Sequence, residues 1–392
     1  MTPVLVVAVR SSRNVTEPAN LKPIERVAAV VKGEPVDRLP FCLFPQLDME
    51  WLPSSALVAA MEAFVEKVEP DVVAVPYCYG YTLPNGVSLE RANDLAQVVP
   101  VHGRHGDFGS QQDAIRHLCN RYHGKRPVVA VIPSPYYQLQ KLAGSKLLLE
   151  SPAFLAPALQ ALTTSLVSFI KVALASGVSG FVIEEVAASH EVMTPTEYKE
   201  RHLDHLKAMF EAAKPGWCVA QFLGRRIFWE ELKLECEGIG WPVAAGPNLS
   251  RGAMRWKGFT WGGLDPTHWG EHSAAYLRGS LAQVLSQIPG KPLLLATPGG
   301  IRLRLDQWAA LGLGLRRLPS PDLLRETPEQ RDARRAATPP RPRSRREARE
   351  EFVPPMLPVP VPQKGAKIRL HGKSTPAEPL SPPDSDQLPP PF

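Results

Sequence analysis

Gly180-Phe181-Val182-Ile183-Glu184-Glu185-Val186 is the stretch on which the fold turns. A short, nearly continuous apolar run, opened by glycine and interrupted near its end by two acids, reads as a strand buried on both faces of a parallel sheet. Seven further runs of this kind occupy residues 39–44, 71–77, 127–133, 218–223, 239–244, 258–261 and 292–297. Three are equally continuous: Val-Val-Ala-Val from Val72, Val-Val-Ala-Val-Ile from Val128 and Leu-Leu-Leu-Ala from Leu293. Helical patterns lie between them. Residues 54–68 open on serine. Residues 151–176 carry Leu155, Leu159, Leu162, Leu166, Phe169, Ile170 and Val172 at roughly helical spacing and stop at Gly177. Residues 194–213 open Thr-Pro-Thr-Glu, a capping box with an early proline. Residues 272–288 precede the eighth run, and 24–32 form an extra helix ahead of the first. Eight strands alternating with helices specify an α/β chain folded as a (β/α)8 TIM barrel. Its weak point is closure. Only residues 302–318 remain for the last helix, and Gly312 and Gly314 each cost about 1 kcal/mol against alanine, so this helix is expected to close the barrel imperfectly.

Outside the barrel the text changes character. The chain has 392 residues, 44% hydrophobic and 21% charged, enough for a sizeable core. Residues 1–301 hold 28 basic and 28 acidic side chains, so the net charge of +6 comes entirely from residues 302–392. A neutral barrel argues against a nucleic-acid surface. No uninterrupted apolar run reaches the ~18–20 residues that span a bilayer, which excludes a membrane protein by this reading. From Arg302 to Arg349 there are thirteen arginines and no lysine, and 18 of the 42 prolines lie beyond residue 318. Such text cannot bury enough apolar surface to offset chain entropy. The expected organisation is an N-terminal extension over 1–21, the barrel over 22–301, the closing helix over 302–318 and a disordered Pro/Arg-rich tail over 319–392. The abrupt loss of lysine after Ile301 is also what a changed reading frame in a G+C-rich gene would leave. Five cysteines, an odd number with no C-x-x-C pair, fit neither a disulfide framework nor a zinc ribbon and point to a reducing, cytoplasmic setting.

In such a barrel the chemistry gathers at the C-terminal ends of the strands. Strand one is followed by Gln46, Asp48 and Glu50, strand two by Tyr77, Cys78, Tyr79 and Tyr81, and strand three by Ser134, Tyr136, Tyr137 and Gln138. Strand four ends on Glu184 and Glu185, with His190 and Glu191 beyond. Gln221, Arg225 and Arg226 follow strand five, Asn248 strand six, Asp265 strand seven, and Thr297 and Gly299–Gly300 strand eight. Neighbouring strand residues point to opposite faces, so one of Glu184 and Glu185 faces the barrel mouth, where burial raises a carboxyl's pKa into a range useful for proton transfer. The tyrosines could wall an aromatic pocket, and Arg225 and Arg226 could hold a carboxylate. His202 and His205, three apart on a helix, lack the further ligands of a metal site and read as a surface face. The Gly-rich stretch 102–109 matches no nucleotide fingerprint and reads as a flexible loop.

Several stretches together resemble the uroporphyrinogen decarboxylase superfamily. They are Glu25-Arg26-Val27 through Gly33-Glu34-Pro35-Val36-Asp37-Arg38-Leu39-Pro40, Pro70-Asp71-Val72-Val73, Ser134-Pro135 followed by a helix, the strand-four region from Gly177 to Glu185 with its Thr194-Pro195 helix start, Gly263-Leu264-Asp265-Pro266 and Pro298-Gly299-Gly300-Ile301. The resemblance implies the same barrel. It also implies either decarboxylation of a porphyrinogen or zinc-dependent methyl transfer between corrinoids and thiols. This chain departs from both patterns. The decarboxylases' Arg-rich loop after strand one corresponds to residues 44–53, which contain no arginine and two acids. Their pyrrole-binding Asp falls on Cys78 by strand position, although the letters match at Asp71. Their Ser after strand four falls near Val186 and their His after strand eight at Gly299. The methyltransferases' His-x-Cys corresponds to Gln221-Phe222-Leu223, and their last Cys to Gly299–Gly300. The expectation is therefore a cytoplasmic enzyme with a diverged site, with no metal and no resident cofactor. Glu184 or Glu185 is the acid/base and His190 a helper. Gln46, Asp48, Tyr77, Cys78, Tyr81, Tyr136, Tyr137, Gln221, Arg225 and Asp265 contact a small-molecule substrate. A corrinoid enters under the methyl-transfer alternative. An inactive binding protein or an out-of-frame product is the non-enzyme alternative, and a homodimer is compatible with all of these.

Overall fold

The computed structural model describes residues 20–45, 47, 53–83, 88–150, 154–242, 252, 255–264, 274–288, 291–297, 303–318 and 321, all in the first of two compact units, Met1–Arg334. The N-terminal extension before residue 20 and almost all of the Pro/Arg-rich segment lie outside them. Each of the eight apolar runs contains a strand: β1 Phe41–Cys42, β2 Val73–Val75, β3 Val128–Pro133, β4 Gly180–Glu185, β5 Trp217–Phe222, β6 Gly238–Gly240, β7 Phe259–Gly263 and β8 Leu293–Ala296. All pairs are parallel, in the order β1-β8-β7-β6-β5-β4-β3-β2. The two end strands meet where Asp71 and Val72 donate to the Phe41 carbonyl at 2.9 and 3.4 Å. The result is a nearly closed (β/α)8 TIM barrel.

The helices are α1 Pro23–Lys32, which caps the base, and around the barrel α2 Ser54–Val68, α3 Asp107–Tyr122, α4 Pro135–Glu150, α5 Leu155–Ala175, α6 Pro195–Arg201, α7 Leu203–Ala213, α8 Ala274–Gln287 and α9 Leu305–Arg316. Two apolar clusters divide the strand residues by parity. Val131, Val182, Val219, Trp261, Leu294 and Ala296 fill the barrel, and Val27 and Val30 of α1 join them from below. Ile132, Ile183, Ala220, Ile239 and Leu295 face the helices instead. This alternation fixes where every strand-end side chain points.

The Gly-Glu-Pro-Val-Asp-Arg-Leu-Pro motif closes the base of the barrel. Asp71, fully buried, takes Arg26 at 2.6 Å, Arg38 at 2.6 Å and the Phe41 amide at 3.1 Å. Arg26 also binds Asp37 at 2.7 Å. Burial alone would raise the Asp37 carboxyl, but its bonds to Arg26 hold it below the usual range. Asp71 thus sits at the N-terminal end of β2, away from the end where barrel chemistry occurs.

Several expectations need correction. The segment 102–109 is a defined turn: the Gly103 amide donates to Ser168 Oγ at 2.9 Å, and a Cβ on Gly103 would collide with the Phe169 backbone. It leads into α3, a helix the hydrophobic pattern does not reveal. The predicted helix 194–213 breaks at His202 into α6 and α7. His202 is 5% exposed, so it lies under the helices and not on a surface face. Although its polar residues interrupt the apolar run, α5 is by length and composition a helix that could cross a membrane. More than half of its most apolar stretch is buried, and it packs on α3, α4 and α7. The two glycines do not interrupt α9. Gly312 rests against the Val68 carbonyl of α2, where any Cβ would clash, and Arg316 donates to that same carbonyl.

Candidate active site

Glu184 and Glu185 part company at the end of β4. Glu184 shares the parity of Val182 and faces the barrel interior in register with Pro133 and Gln221. It is half-buried, and its carboxyl makes no hydrogen bond or ion pair among the described residues. Burial raises its pKa, and the nearby Lys141 ammonium partly offsets the rise. Glu185 faces outward and is 2% exposed. Its two oxygens take the Ala187 amide at 2.5 Å and the Tyr198 hydroxyl at 3.0 Å, and Ser134 also bonds it. Burial raises this carboxyl too, and those donors work against the rise. Of the two acids only Glu184 can reach a ligand at the mouth.

Beside Glu184 stands a cluster from the ends of β2 and β3. The Tyr77 hydroxyl donates to Gln138 Oε1 at 2.8 Å and accepts the Tyr81 amide at 3.2 Å. Tyr137 lies one turn before Lys141 on α4, and the Lys141 ammonium rests 4.8 Å from the Tyr137 ring centre and 5.8 Å from that of Tyr77. Exposed cation–π contacts of this kind contribute about 0.5–1 kcal/mol. Burial pushes the Tyr137 hydroxyl up to about 12, with a further contribution from Glu184. Burial likewise raises Tyr77. Lys141 is the residue that sequence reasoning missed. Its only signal was the i, i+4 spacing from Tyr137 on the helix that follows strand three.

Gln221 points inward from β5, its amide donating to the Phe222 carbonyl at 3.1 Å. Its side-chain oxygen lies over Gly240, whose missing side chain makes the space. The indole edge of Trp261 flanks the same glycine; its N–H is buried without a partner among the described residues. Glu184, Gln221 and Trp261 therefore lie in one register row across β4, β5 and β7, with the β6 glycine between the last two.

Other sequence candidates are placed elsewhere. Tyr81 spends its hydroxyl on the backbone of Val99, donating at 2.8 Å and accepting at 3.1 Å. Tyr136 turns outward, edge-on to His202 with ring centres 5.1 Å apart; burial first, and then Glu185, push its hydroxyl up to about 12. His190 is exposed and edge-on to Phe228 at 5.0 Å, in the loop beyond Glu185. Cys78 is half-buried, its amide held at 3.1 Å by Gln111 Oε1, which also takes the Tyr79 amide. Arg225 is exposed, and its carbonyl accepts the Ser189 hydroxyl. Thr297 ties β8 to β1 through the Phe44 amide at 3.0 Å. Gln46, Asp48 and Asp265 lie outside the described residues, as do Glu50, Asn248 and Gly299–Gly300. The zinc that the methyltransferase resemblance implies does not fit the end of β5, where Gln221-Phe222-Leu223 offers neither imidazole nor thiolate. No group of three His, Cys, Asp or Glu able to hold a metal occurs among the described residues.

The uroporphyrinogen decarboxylase (URO-D) family model matches residues 79–266. In three dimensions the chain is similar to a methyltransferase from Methanosarcina mazei, with a TM-score of 0.64 and 17% identity over 76% of this chain and 99% of that one. Weaker likenesses are to a B12-independent methionine synthase from Shewanella sp. W3-18-1 (TM-score 0.40, 15% identity, 52% of this chain and 65% of that one) and to a putative vitamin-B12-independent methionine synthase from Listeria monocytogenes (TM-score 0.41, 13% identity, 67% and 85%). No curated protein matches the chain significantly in sequence. The family match and the barrel agree with the resemblance read from the sequence motifs.

Proposed function

We propose that this barrel, of the uroporphyrinogen decarboxylase type, is a lyase that moves a proton at the carbon of a small organic acid, with Glu184 as the acid. The observation that carries the reading is the separation of the two acids. Glu184 has an unengaged carboxyl turned into the mouth and a pKa raised by burial, whereas Glu185 is tied down behind the sheet. A carboxyl that keeps its proton to higher pH can deliver it to a carbanion. In a decarboxylation the bond to the departing carboxylate breaks and CO2 leaves. The electron pair stays on carbon and takes the Glu184 proton, which solvent then replaces. Tyr77, Tyr137 and Gln221 would orient the substrate. Uroporphyrinogen itself is a poor candidate, because residues 44–53 bring two acids and no arginine to a polyanion. Five free thiols are in keeping with a cytoplasmic enzyme.

The test is anaerobic. Incubation with uroporphyrinogen is expected to give no coproporphyrin; its appearance would restore the haem-pathway role. CO2 release is then measured with a panel of small carboxylic acids. The responding acid is expected to lose about 10²–10⁴-fold in kcat with Glu184→Gln. Activity unchanged in that variant sinks the assignment. The rival reading, methyl transfer with a corrinoid, draws on the activity named for the Methanosarcina mazei protein. It finds no thiolate-activating group at the end of β5, and no step is derived through it.

A further inference from the structure

We propose that Lys141 is the anion-binding residue of this site, and that the substrate carries a second carboxylate which Lys141 holds while the first departs. The proposal rests on the Glu184 reading for the reaction, but not for the binding.

Arg26 and Arg38, the cations of the base network, are consumed by Asp37 and Asp71 at the opposite end of the barrel. Lys141 is different. It has no carboxylate within ion-pair distance among the described residues, its side chain is exposed, and its ammonium is steadied by two tyrosine rings. An aromatic pair attracts a cation without neutralising it, so the full charge stays available to an incoming anion. The rings are themselves fixed: Gln138, 3% exposed, takes the Tyr77 hydroxyl, and Tyr137 begins the helix that carries Lys141. The charge also acts on Glu184, so anchor and acid stand within electrostatic reach of each other.

The chemistry assigns the carboxylates. A group bound to an ammonium is not the one that leaves, because CO2 formation withdraws the negative charge the ammonium stabilises. The leaving carboxylate belongs instead beside Glu184, where burial disfavours charge. A single ammonium selects a single anchored carboxylate, and the tyrosine walls favour a flat apolar body between the two acid groups.

Binding can be read without the natural substrate. Reductive 13C-methylation keeps each lysine charged, and the resonance missing from Lys141→Arg identifies Lys141. Benzoate is the probe and benzamide its uncharged counterpart. The Lys141 signal should shift saturably with benzoate and not with benzamide, in wild type and in Glu184→Gln alike. Ligand-observed NMR should show benzoate binding about tenfold or more weaker in Lys141→Met, and nearly retained in Lys141→Arg. A Lys141 signal indifferent to benzoate, or equally responsive to benzamide, overturns the proposal, as does unchanged benzoate binding in Lys141→Met. If benzoate binding follows the prediction while Glu184→Gln keeps full turnover, the acid assignment falls and the anchor stands.

Discussion

Glu185 shows what a buried carboxyl does when it is not a reactant. It gathers an amide, a phenol and a hydroxyl from the loop after β4, from α6 and from the β3 end. Removing it leaves those donors buried and unpaired, at about 1–3 kcal/mol each. Glu185→Ala is expected to lower the denaturation midpoint clearly, whereas Glu184→Gln, which strands no partner, should leave it nearly unchanged. Urea titrations of both variants check this. His202 makes a second residue-scale case. Burial first, then the charges of His205 and Arg201, lower its pKa from 6.5 to about 4. The folded state therefore binds this proton less readily than the unfolded chain. The contribution is complete above pH 6.5 and is lost as pH falls toward 4, to a total of about 3 kcal/mol. Urea midpoints of wild type and His202→Gln should converge as the medium is acidified. A constant gap between pH 7 and pH 4 would refute the sign. Neither acid's role was legible in the sequence, which shows two glutamates side by side and leaves their faces open until β4 has a register.

Among the elements, strands were more legible than helices. Residues buried on both faces of a parallel sheet announce themselves as unbroken Val, Ile and Leu, and all eight runs contain strands. By contrast α3 hides behind Gln111 and Gln112, both fully buried and polar. Gln111 donates to the Pro76 carbonyl at 2.9 Å while accepting the Cys78 and Tyr79 amides, and Gln112 donates to the Phe169 carbonyl at 2.8 Å. They do core work by hydrogen bonding, which a hydrophobic period cannot register. Glycine misleads in the same way. Gly312 of α9 is a contact point on α2, so Gly312→Ala is expected to destabilise by about 1–3 kcal/mol. Gly279 of α8 is exposed with nothing near its Cβ position, so Gly279→Ala should stabilise by about 0.5–1 kcal/mol. Thermal melts of the two variants should move in opposite directions.

Across the whole molecule, structure and chemistry occupy opposite ends. The Arg26–Asp37–Asp71–Arg38 network closes the base, while the candidate acid and its lysine stand at the mouth. Breaking the base should therefore change stability and not binding. Arg26→Met leaves Asp71 short of a partner and is expected to cost about 3–5 kcal/mol, while the variant that stays folded binds benzoate as wild type does. Calorimetry with the same NMR titration separates the two effects. The motif at residues 33–40, the most specific piece of the sequence resemblance, belongs to this base. It could reveal the fold but not the reaction, and Lys141 lay one turn beyond Tyr137 on α4, past the residues singled out after strand three.

The adjacency of Glu184 and Glu185 makes β4 a parity device. The two letters are identical, and only odd or even position separates a free acid from a fastener. A single-residue insertion between Gly180 and Glu184 would exchange their jobs while leaving the local spelling almost intact. Alignments that tolerate a gap there would score such a homologue as unchanged, although its reactive carboxyl had turned its back on the barrel.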